Sequence, residues 1–266
     1  MTPAPRRRQW WCALALGLAL WAAGVVAATR SEAATRSEPV LSAGAPACPP
    51  VEVLLLGDSN IYGALGKELQ RALPAMGFHA DRLGKPTSGL ARPDFFNWFD
   101  TARALIARYR PDVVIIMLGG NDGQRLERVH DERHARIMWA EEAAWRDEYF
   151  HRVRGLMELL RGERRRVFFL SPTNRRPRLA REKMVRVREV QRAAAESLDG
   201  IVWIDMFPFS SDANGNWLQA GVTERGQRVR YRRQDGIHLT PEGAAVVARR
   251  VMDDLVRRGL AACGRL

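Results

Sequence analysis

The chain has 266 residues, of which 46% are hydrophobic, and it carries a formal net charge of +12. This length provides for one sizeable α/β domain or two small ones, and the hydrophobic content excludes a globally disordered chain. The excess charge is almost all arginine, and it would attract an anionic partner such as nucleic acid, anionic lipid or acidic cell-wall polymer.

The amino terminus has the pattern of an export signal. Three arginines at positions 6–8 precede an uncharged stretch, residues 10–28, whose last residues are small enough for signal-peptidase cleavage. The stretch is also long enough to span a bilayer, so residues 1–28 are either a signal peptide or an uncleaved inner-membrane anchor. Both alternatives make the rest of the chain periplasmic or secreted, because the three arginines remain on the cytoplasmic side of the membrane. Nucleic acid is then the least expected partner.

Residues 29–49 are predicted to be a disordered tether, since they contain a repeated Ala-Thr-Arg-Ser-Glu segment, small residues and prolines without hydrophobic periodicity. The domain that follows, residues 50–266, is flanked by Cys48 and Cys263. In a parallel sheet the first strand starts, and the last helix ends, on the face opposite the ligand side. An exported protein can keep a disulfide oxidised, so we predict a Cys48–Cys263 bridge.

Apolar runs and helical periodicity alternate along the domain. The runs predict buried strands at Val51–Leu56, Phe78–Leu83 (the weakest), Val113–Leu118, Val167–Leu170 and Ile201–Ile204. Helices are predicted at Ile61–Met76, Phe95–Tyr109, Glu141–Leu160, Leu179–Leu198 and, with Thr240 as its cap, Pro241–Leu260. This alternation predicts one parallel sheet with right-handed crossovers, and the two long connections, 119–140 and 206–234, are candidates for function.

A serine follows the first predicted strand, within Gly57-Asp58-Ser59-Asn60. The carboxyl end of a buried strand is where an open α/β sheet presents reactive groups, so Ser59 has the position of a nucleophile. By composition alone, the tetrapeptide is more often a strand-to-helix turn with a capping serine.

Two further segments offer hydrogen-bond donors. The third predicted strand ends in Gly-Gly-Asn-Asp at 119–122, where the amide of Asn121 can donate to a developing oxyanion, although Asn-Asp is also common turn chemistry. Between the second and third strands, Gly89 either brings its backbone N–H close to a ligand or supplies a positive φ.

An acid and a histidine three residues apart precede the last predicted helix, in Asp235-Gly236-Ile237-His238. This separation lets a tight turn place the Asp235 carboxylate on the imidazole, which fixes its tautomer and stabilises the imidazolium. An isolated pair of this kind occurs often by chance, and it is the four motifs in order on the loop side of the sheet that indicate a catalytic site.

Taken together, the four motifs resemble the SGNH (GDSL-type) hydrolase superfamily over about residues 50–260. Residues 57–59 resemble its first block, Gly89 its second, 119–122 its third and 235–238 its fifth. Residues 88–96 and the region around 235–238 are similar to an exported bacterial subgroup of poorly defined function. The resemblance implies a three-layer α/β/α fold with a flavodoxin-like five-stranded parallel sheet.

The resemblance also implies a role for each matching residue. Ser59 is the nucleophile, His238 the general base and then acid, and Asp235 the group that orients the imidazole. The oxyanion hole consists of the Ser59 N–H, the Gly89 N–H and the side-chain amide of Asn121. Asn60 departs from the small or apolar residue common there, so it either touches substrate or caps the helix.

Export, basicity and this residue set predict a serine esterase that removes O-acyl groups, in the first instance O-acetyl, from a cell-envelope polysaccharide such as peptidoglycan. An O-acyltransferase or a lipid or acyl esterase would use the same triad, and a catalytically degenerate glycan-binding protein is a third alternative. Arg92 and Trp217 are candidate substrate contacts. The alternative for Arg92 is a surface ion pair. The sequence has no metal-ligand spacing and no glycine-rich phosphate loop, so we expect neither metal nor cofactor.

Overall fold

A computed structural model describes residues 50–127, 136–163, 165–176, 178–223 and 225–261. Its strands are β1 (Val51–Gly57), β2 (Phe78–Gly84), β3 (Val113–Met117), β4 (Arg166–Leu170), β5 (Ile201–Ile204), β6 (Ala220–Val222) and β7 (Arg228–Arg230). The first five form one parallel sheet in the order β2-β1-β3-β4-β5, and β6 and β7 form an antiparallel pair. All five predicted strands are confirmed.

Six helices connect or follow these strands. They are α1 (Ser59–Tyr62), α2 (Ala64–Ala72), α3 (Trp98–Tyr109), α4 (Glu142–Arg161), α5 (Arg178–Glu196) and α6 (Pro241–Arg257), with short 3₁₀ turns at Leu73–Met76 and Pro208–Ser210. The Thr240 hydroxyl accepts a hydrogen bond from the Gly243 N–H at 3.0 Å, which confirms the predicted cap of α6.

Two apolar clusters cover the two faces of the five-stranded sheet. Because side chains alternate along a strand, Leu55 of β1 packs with residues of α1, α2 and α6, whereas its neighbours Leu54 and Leu56 pack with residues of α3, α4 and α5. Trp98 and Trp145 are fully buried in the second cluster. The three-layer α/β/α fold with a flavodoxin-like sheet is confirmed.

The predicted helix over Ile61–Met76 is wrong in detail, because it is divided. The Gly63 N–H donates to the Ser59 carbonyl at 2.9 Å and closes the single turn of α1, and the extended ψ of −150° at Gly63 prevents the helix from continuing. Pro74 then marks the 3₁₀ turn, which ends at Gly77 with φ 83°. Helix α3 begins later than predicted, since the Asn97 side chain caps it by accepting from the N–H groups of residues 99 and 100.

The strand order reverses between β1 and β3, which in an open α/β sheet marks the crevice where ligands bind. The segments after β1 and β3, residues 58–63 and 118–124, therefore meet at this crevice. No helix among the described residues has the length and apolarity to cross a membrane. The predicted signal or anchor, the tether and the Cys48–Cys263 disulfide lie outside the described residues and stay predictions.

Candidate active site

Ser59 is the first residue of α1, directly after the turn that ends β1. Asp58 caps this helix, because its Oδ1 accepts from the Asn60 backbone N–H at 2.9 Å and from the Asn60 side-chain amide at 3.0 Å. The predicted capping role of Asn60 is therefore wrong, because Asp58 is the cap and Asn60 donates to it. Asn60 lines the cleft, and its contact with substrate stays a prediction. The capped turn presents the Ser59 hydroxyl to the crevice.

A chain of hydrogen bonds joins the predicted triad across 179 residues of sequence. The Ser59 Oγ lies 2.8 Å from His238 Nε2, and His238 Nδ1 lies 2.8 Å from Asp235 Oδ2. Asp235 Oδ1 also accepts from the backbone N–H groups of Ile237 and His238, at 2.8 and 2.9 Å. The tight turn expected from the sequence therefore holds both the carboxylate and the imidazole in place.

The hydrogen bonds around Asp235 set its protonation. Burial acts to raise the pKa of this carboxyl, but the bonds from the His238 ring and from the Ile237 and His238 N–H groups outweigh burial and lower the pKa to about 2. Asp235 is consequently ionised at every pH at which the imidazole would have to work, and it can stabilise an imidazolium.

The lowered pKa of Asp235 predicts a contribution to stability that depends on pH. Because the pKa is about 2 in the folded state, against an ordinary 3.8, ionised Asp235 stabilises the fold above about pH 4, and the effect is lost as the pH falls towards 2. We expect Asp235→Asn to unfold in less urea than wild type at pH 7, with the difference shrinking at pH 2. Asp253→Asn, on an exposed position of α6, is the control. A gap of the same size at both pH values would contradict this prediction.

The Asn121 side chain lies beside the segment that carries Gly89, although Gly89 itself is buried and is not among the described residues that line the cleft. The Asn121 amide donates one hydrogen to the Ser88 carbonyl at 2.8 Å, which leaves its second hydrogen for a ligand. Asn121 and Ser59 line the same cleft. The structure thus brings Asn121 to the cleft beside the nucleophile, and the Gly89 segment is held against it through the Ser88 carbonyl.

Gly89 has no room for a side chain, because a Cβ at this position would overlap the Asp122 carboxylate. That carboxylate accepts from the Ala91 N–H at 2.8 Å and from the Tyr149 hydroxyl at 2.8 Å, so it cannot move aside cheaply. The close approach of backbone to carboxylate is therefore the reason that position 89 requires glycine.

We expect Gly89→Ala to lower the urea midpoint and to reduce ester turnover, since the 88–91 segment must shift away from Asp122. Gly155→Ala is the matched control: it lies within α4, its new methyl would meet only ring atoms of Phe99 at 3.6 Å or more, and alanine favours the helix by about 1 kcal/mol. A Gly89→Ala variant as stable and as active as Gly155→Ala would contradict the packing account.

Asp122 is a residue whose role the sequence did not predict. It is fully buried, and burial raises the pKa of its carboxyl against the hydrogen bonds from the Ala91 and Leu90 backbone and from Tyr149. Gln191 extends the network by donating to the Tyr149 hydroxyl and to the Leu118 carbonyl, both at 3.1 Å. Asp122 thus anchors the segment that carries Gly89 and does not face the cleft.

Two arginines near the triad were also missed. Arg175 follows β4 and lines the cleft with Ser59 and His238. Arg232 is fully buried behind it, donating to the Thr173 hydroxyl at 3.3 Å and to the carbonyls of Asn174 and Ile237. The sequence signal that could have indicated Arg175 was its position, because the loop after β4 lies at the ligand side of a parallel sheet.

The cleft has a volume of about 520 Å³ and is lined by Ser59 and His238 of the predicted triad together with other polar and apolar side chains. Among the described residues its lining does not include Arg92 or Trp217. Arg92 instead forms an ion pair with Asp94 at 2.8 Å, and the Trp217 ring lies 5.9 Å from the Arg176 guanidinium. A substrate contact by either residue stays a prediction, with the surface ion pair now observed for Arg92.

The chain is similar to known proteins in its sequence family and in its fold. A family described as "Protein of unknown function (DUF459)" matches residues 52–254. No curated protein is similar enough in sequence to match the chain. The sequence identities to solved structures are low, so those structures show the fold.

Three solved structures illustrate the likeness. An α/β hydrolase from the metagenome of Lake Arreo, Spain, has a TM-score of 0.54 at 15% identity, with 77% of this chain and 95% of that one covered. An acetylxylan esterase from Geobacillus stearothermophilus has a TM-score of 0.53 at 18% identity, with 78% of this chain and 95% of that one covered. A GDSL-like lipase from Bacteroides thetaiotaomicron has a TM-score of 0.51 at 14% identity, with 79% of this chain and 92% of that one covered. The SGNH fold predicted from the motifs is confirmed.

Proposed function

The chain belongs to the DUF459 family, and from this membership, its SGNH fold and its cleft we propose that it is an exported serine esterase. Its substrate is an O-acyl ester, in the first instance O-acetyl, on a cell-envelope polysaccharide such as peptidoglycan. The observation that carries the proposal is the hydrogen-bonded chain from Ser59 through His238 to Asp235. A serine hydroxyl needs an adjacent base at neutral pH, and this chain supplies one that a third group orients.

In the first half-reaction, Ser59 Oγ attacks the acyl carbon while His238 Nε2 accepts the hydroxyl proton. The ionised Asp235 carboxylate stabilises the resulting imidazolium through Nδ1–H. The carbonyl oxygen becomes an oxyanion, which in this mechanism accepts hydrogen bonds from the Asn121 amide and from the backbone N–H groups of Ser59 and Gly89. Collapse of the intermediate releases the alcohol, with its proton from His238, and leaves an acyl-serine.

In the second half-reaction, water attacks the acyl-serine and gives a proton to His238 Nε2. The second tetrahedral intermediate then expels Ser59, which takes the proton back, and the acid is released. If a sugar hydroxyl replaces water, the same residues transfer the acyl group. Hydrolysis and transfer therefore differ only in the acceptor that reaches the acyl-enzyme.

Support for an acetylated polysaccharide comes from three sources. A structural neighbour is an acetylxylan esterase, the predicted export places the domain near envelope polymers, and the cleft is open at the surface with Tyr62 exposed at its edge. An exposed aromatic ring beside a cleft suits the apolar face of a sugar.

The test is acetate release from O-acetylated peptidoglycan by the full-length protein, compared with release from acetylated xylan and from 4-nitrophenyl acetate. We expect release from the envelope polymer, with no gain in acetylated product when acceptor sugars are added. Acetyl transfer to an added sugar would make the protein a transferase. No turnover of any ester would favour the glycan-binding alternative.

Asn121→Ala is expected to lower kcat by about 10²- to 10³-fold with a smaller change in KM, because removing one oxyanion donor acts mainly on the transition state. Asn214→Ala, on an exposed position outside the cleft lining, is the control and should retain wild-type kinetics. Equal kcat values for the two variants, measured with 4-nitrophenyl acetate, would remove Asn121 from the oxyanion hole.

A further inference from the structure

Arg175 brings a positive charge into the cleft close to the buried capping residue of α1. The loop after β4 directs it there, and the Arg232 guanidinium fixes that loop by binding the Thr173 hydroxyl and the Asn174 carbonyl. A Cβ placed on Gly120 would lie 2.5 Å from Arg175 Nη2 and 2.6 Å from Asp58 Oδ2. The absence of a side chain at Gly120 therefore leaves a gap between the guanidinium and the carboxylate.

Neither side of this gap is satisfied within the part of the chain that the structure describes. Asp58 Oδ2 and Arg175 Nε are buried without a hydrogen-bond partner, and the guanidinium forms no ion pair there. If Arg175 served only as the counter-ion of Asp58, a direct ion pair would be expected, because a buried charge is costly when unpaired. The Arg175 guanidinium is thus held in the cleft with N–H groups that can donate to a ligand.

The charges around the cleft favour an anion. Lys67 and Arg233 line it together with Arg175, and Glu68 is the acidic residue in the lining. Arg232, Asp235 and Asp58 interact electrostatically with Arg175 without lining the cleft. Burial lowers the pKa of the Arg175 guanidinium, while Asp58, Asp122 and Asp235 oppose that effect; burial also raises the pKa of Asp58.

We propose that Arg175 binds an oxyanion of the ester substrate, a carboxylate or a phosphate, so that the cleft selects acyl esters carrying negative charge near the scissile bond. This inference rests on the proposed esterase function and specifies its substrate class. The planar guanidinium binds carboxylate and phosphate through paired hydrogen bonds, and partial burial strengthens that interaction.

The experiment uses acetate esters that differ only in charge. 4-Acetoxybenzoate is compared with neutral 4-acetoxybenzamide, and 4-acetoxyphenyl phosphate tests the phosphate. For wild type we expect kcat/KM for the benzoate to exceed that for the benzamide by about tenfold or more, as for a charged hydrogen-bonded pair. In Arg175→Gln the ratio of the two kcat/KM values should fall most of the way to one, and in Arg175→Lys it should fall only in part. Arg103→Gln, which removes one charge from an exposed position of α3, should keep all of it.

The two anionic esters identify the oxyanion, since preference for the benzoate indicates a carboxylate and preference for the phosphate ester indicates a phosphate. A wild-type ratio at or below one for both anions, or an equal loss on charged and neutral esters in Arg175→Gln, would overturn the proposal. Turnover of the neutral ester reports separately on the esterase function. Titration of Ser59→Ala with benzoate and with phenyl phosphate by calorimetry measures anion binding without turnover. If adding Arg175→Gln to Ser59→Ala did not weaken this binding, the proposal would also be overturned.

Discussion

Ser59→Ala and His238→Ala are each expected to lower kcat/KM for 4-nitrophenyl acetate by about 10³-fold or more. The Oγ–Nε2 distance of 2.8 Å makes the two side chains one unit, in which the base has no function without the nucleophile. The double variant should therefore be about as impaired as either single variant, because losses within such a unit are far from additive.

Controls for this pair are available on other parts of the fold. Ser197 follows α5, and Ser197→Ala removes a hydroxyl that donates to the Ala194 carbonyl. His151→Ala removes an exposed imidazole from α4. Both should retain wild-type turnover. If the losses in Ser59→Ala and His238→Ala multiplied in the double variant, the two residues would be acting independently, against the proposed mechanism.

Arg232→Met is expected to lower the free energy of unfolding by about 3 kcal/mol or more, the range for breaking a buried network of hydrogen bonds to a charged group. The guanidinium joins the loop after β4 to the loop that carries His238, through the carbonyls of Asn174 and Ile237. Methionine fills similar volume but leaves both carbonyls without this donor. Ester turnover should fall as well, because the position of His238 depends on that loop.

Urea denaturation at neutral pH measures the effect of Arg232→Met directly. Arg233→Met is the matched control for stability, since this neighbouring arginine is exposed and its removal should change the free energy of unfolding by about 0.5 kcal/mol or less. Equal stabilities of the two variants would show that the buried hydrogen bonds of Arg232 contribute nothing measurable.

The sheet could be predicted from the sequence because its strands are continuous apolar runs, such as Val113–Met117, which is buried at every position. The hairpin of β6 and β7 could not, since strands of three residues have too few positions to show alternation. The division of the first predicted helix at Gly63 was missed for a related reason: periodicity continues across a short interruption that backbone geometry imposes.

The three residues of the proposed triad could be predicted because each stands beside a turn motif at a strand end or before a helix. The supporting roles could not be predicted. Asp122 stands inside the motif at 119–122, but nothing in the motif indicates its bond to the Ala91 N–H, and Arg232 lies in no recognisable pattern and bonds the distant Asn174 carbonyl. Arg175 was missed because an arginine in a basic chain is ordinarily a surface residue. Arg175 is distinguished by its place after β4 and by its half-buried position in the lining of the cleft.

The most direct test of the central claim is covalent labelling with a fluorophosphonate, which phosphonylates serines activated by an adjacent base. Full-length protein is labelled, digested and examined by mass spectrometry. The account predicts one major adduct, on the peptide that contains Ser59, and a much slower reaction in His238→Ala. Absence of an adduct, labelling of a different serine, or an unchanged rate in His238→Ala would contradict the assignment of Ser59 as the nucleophile.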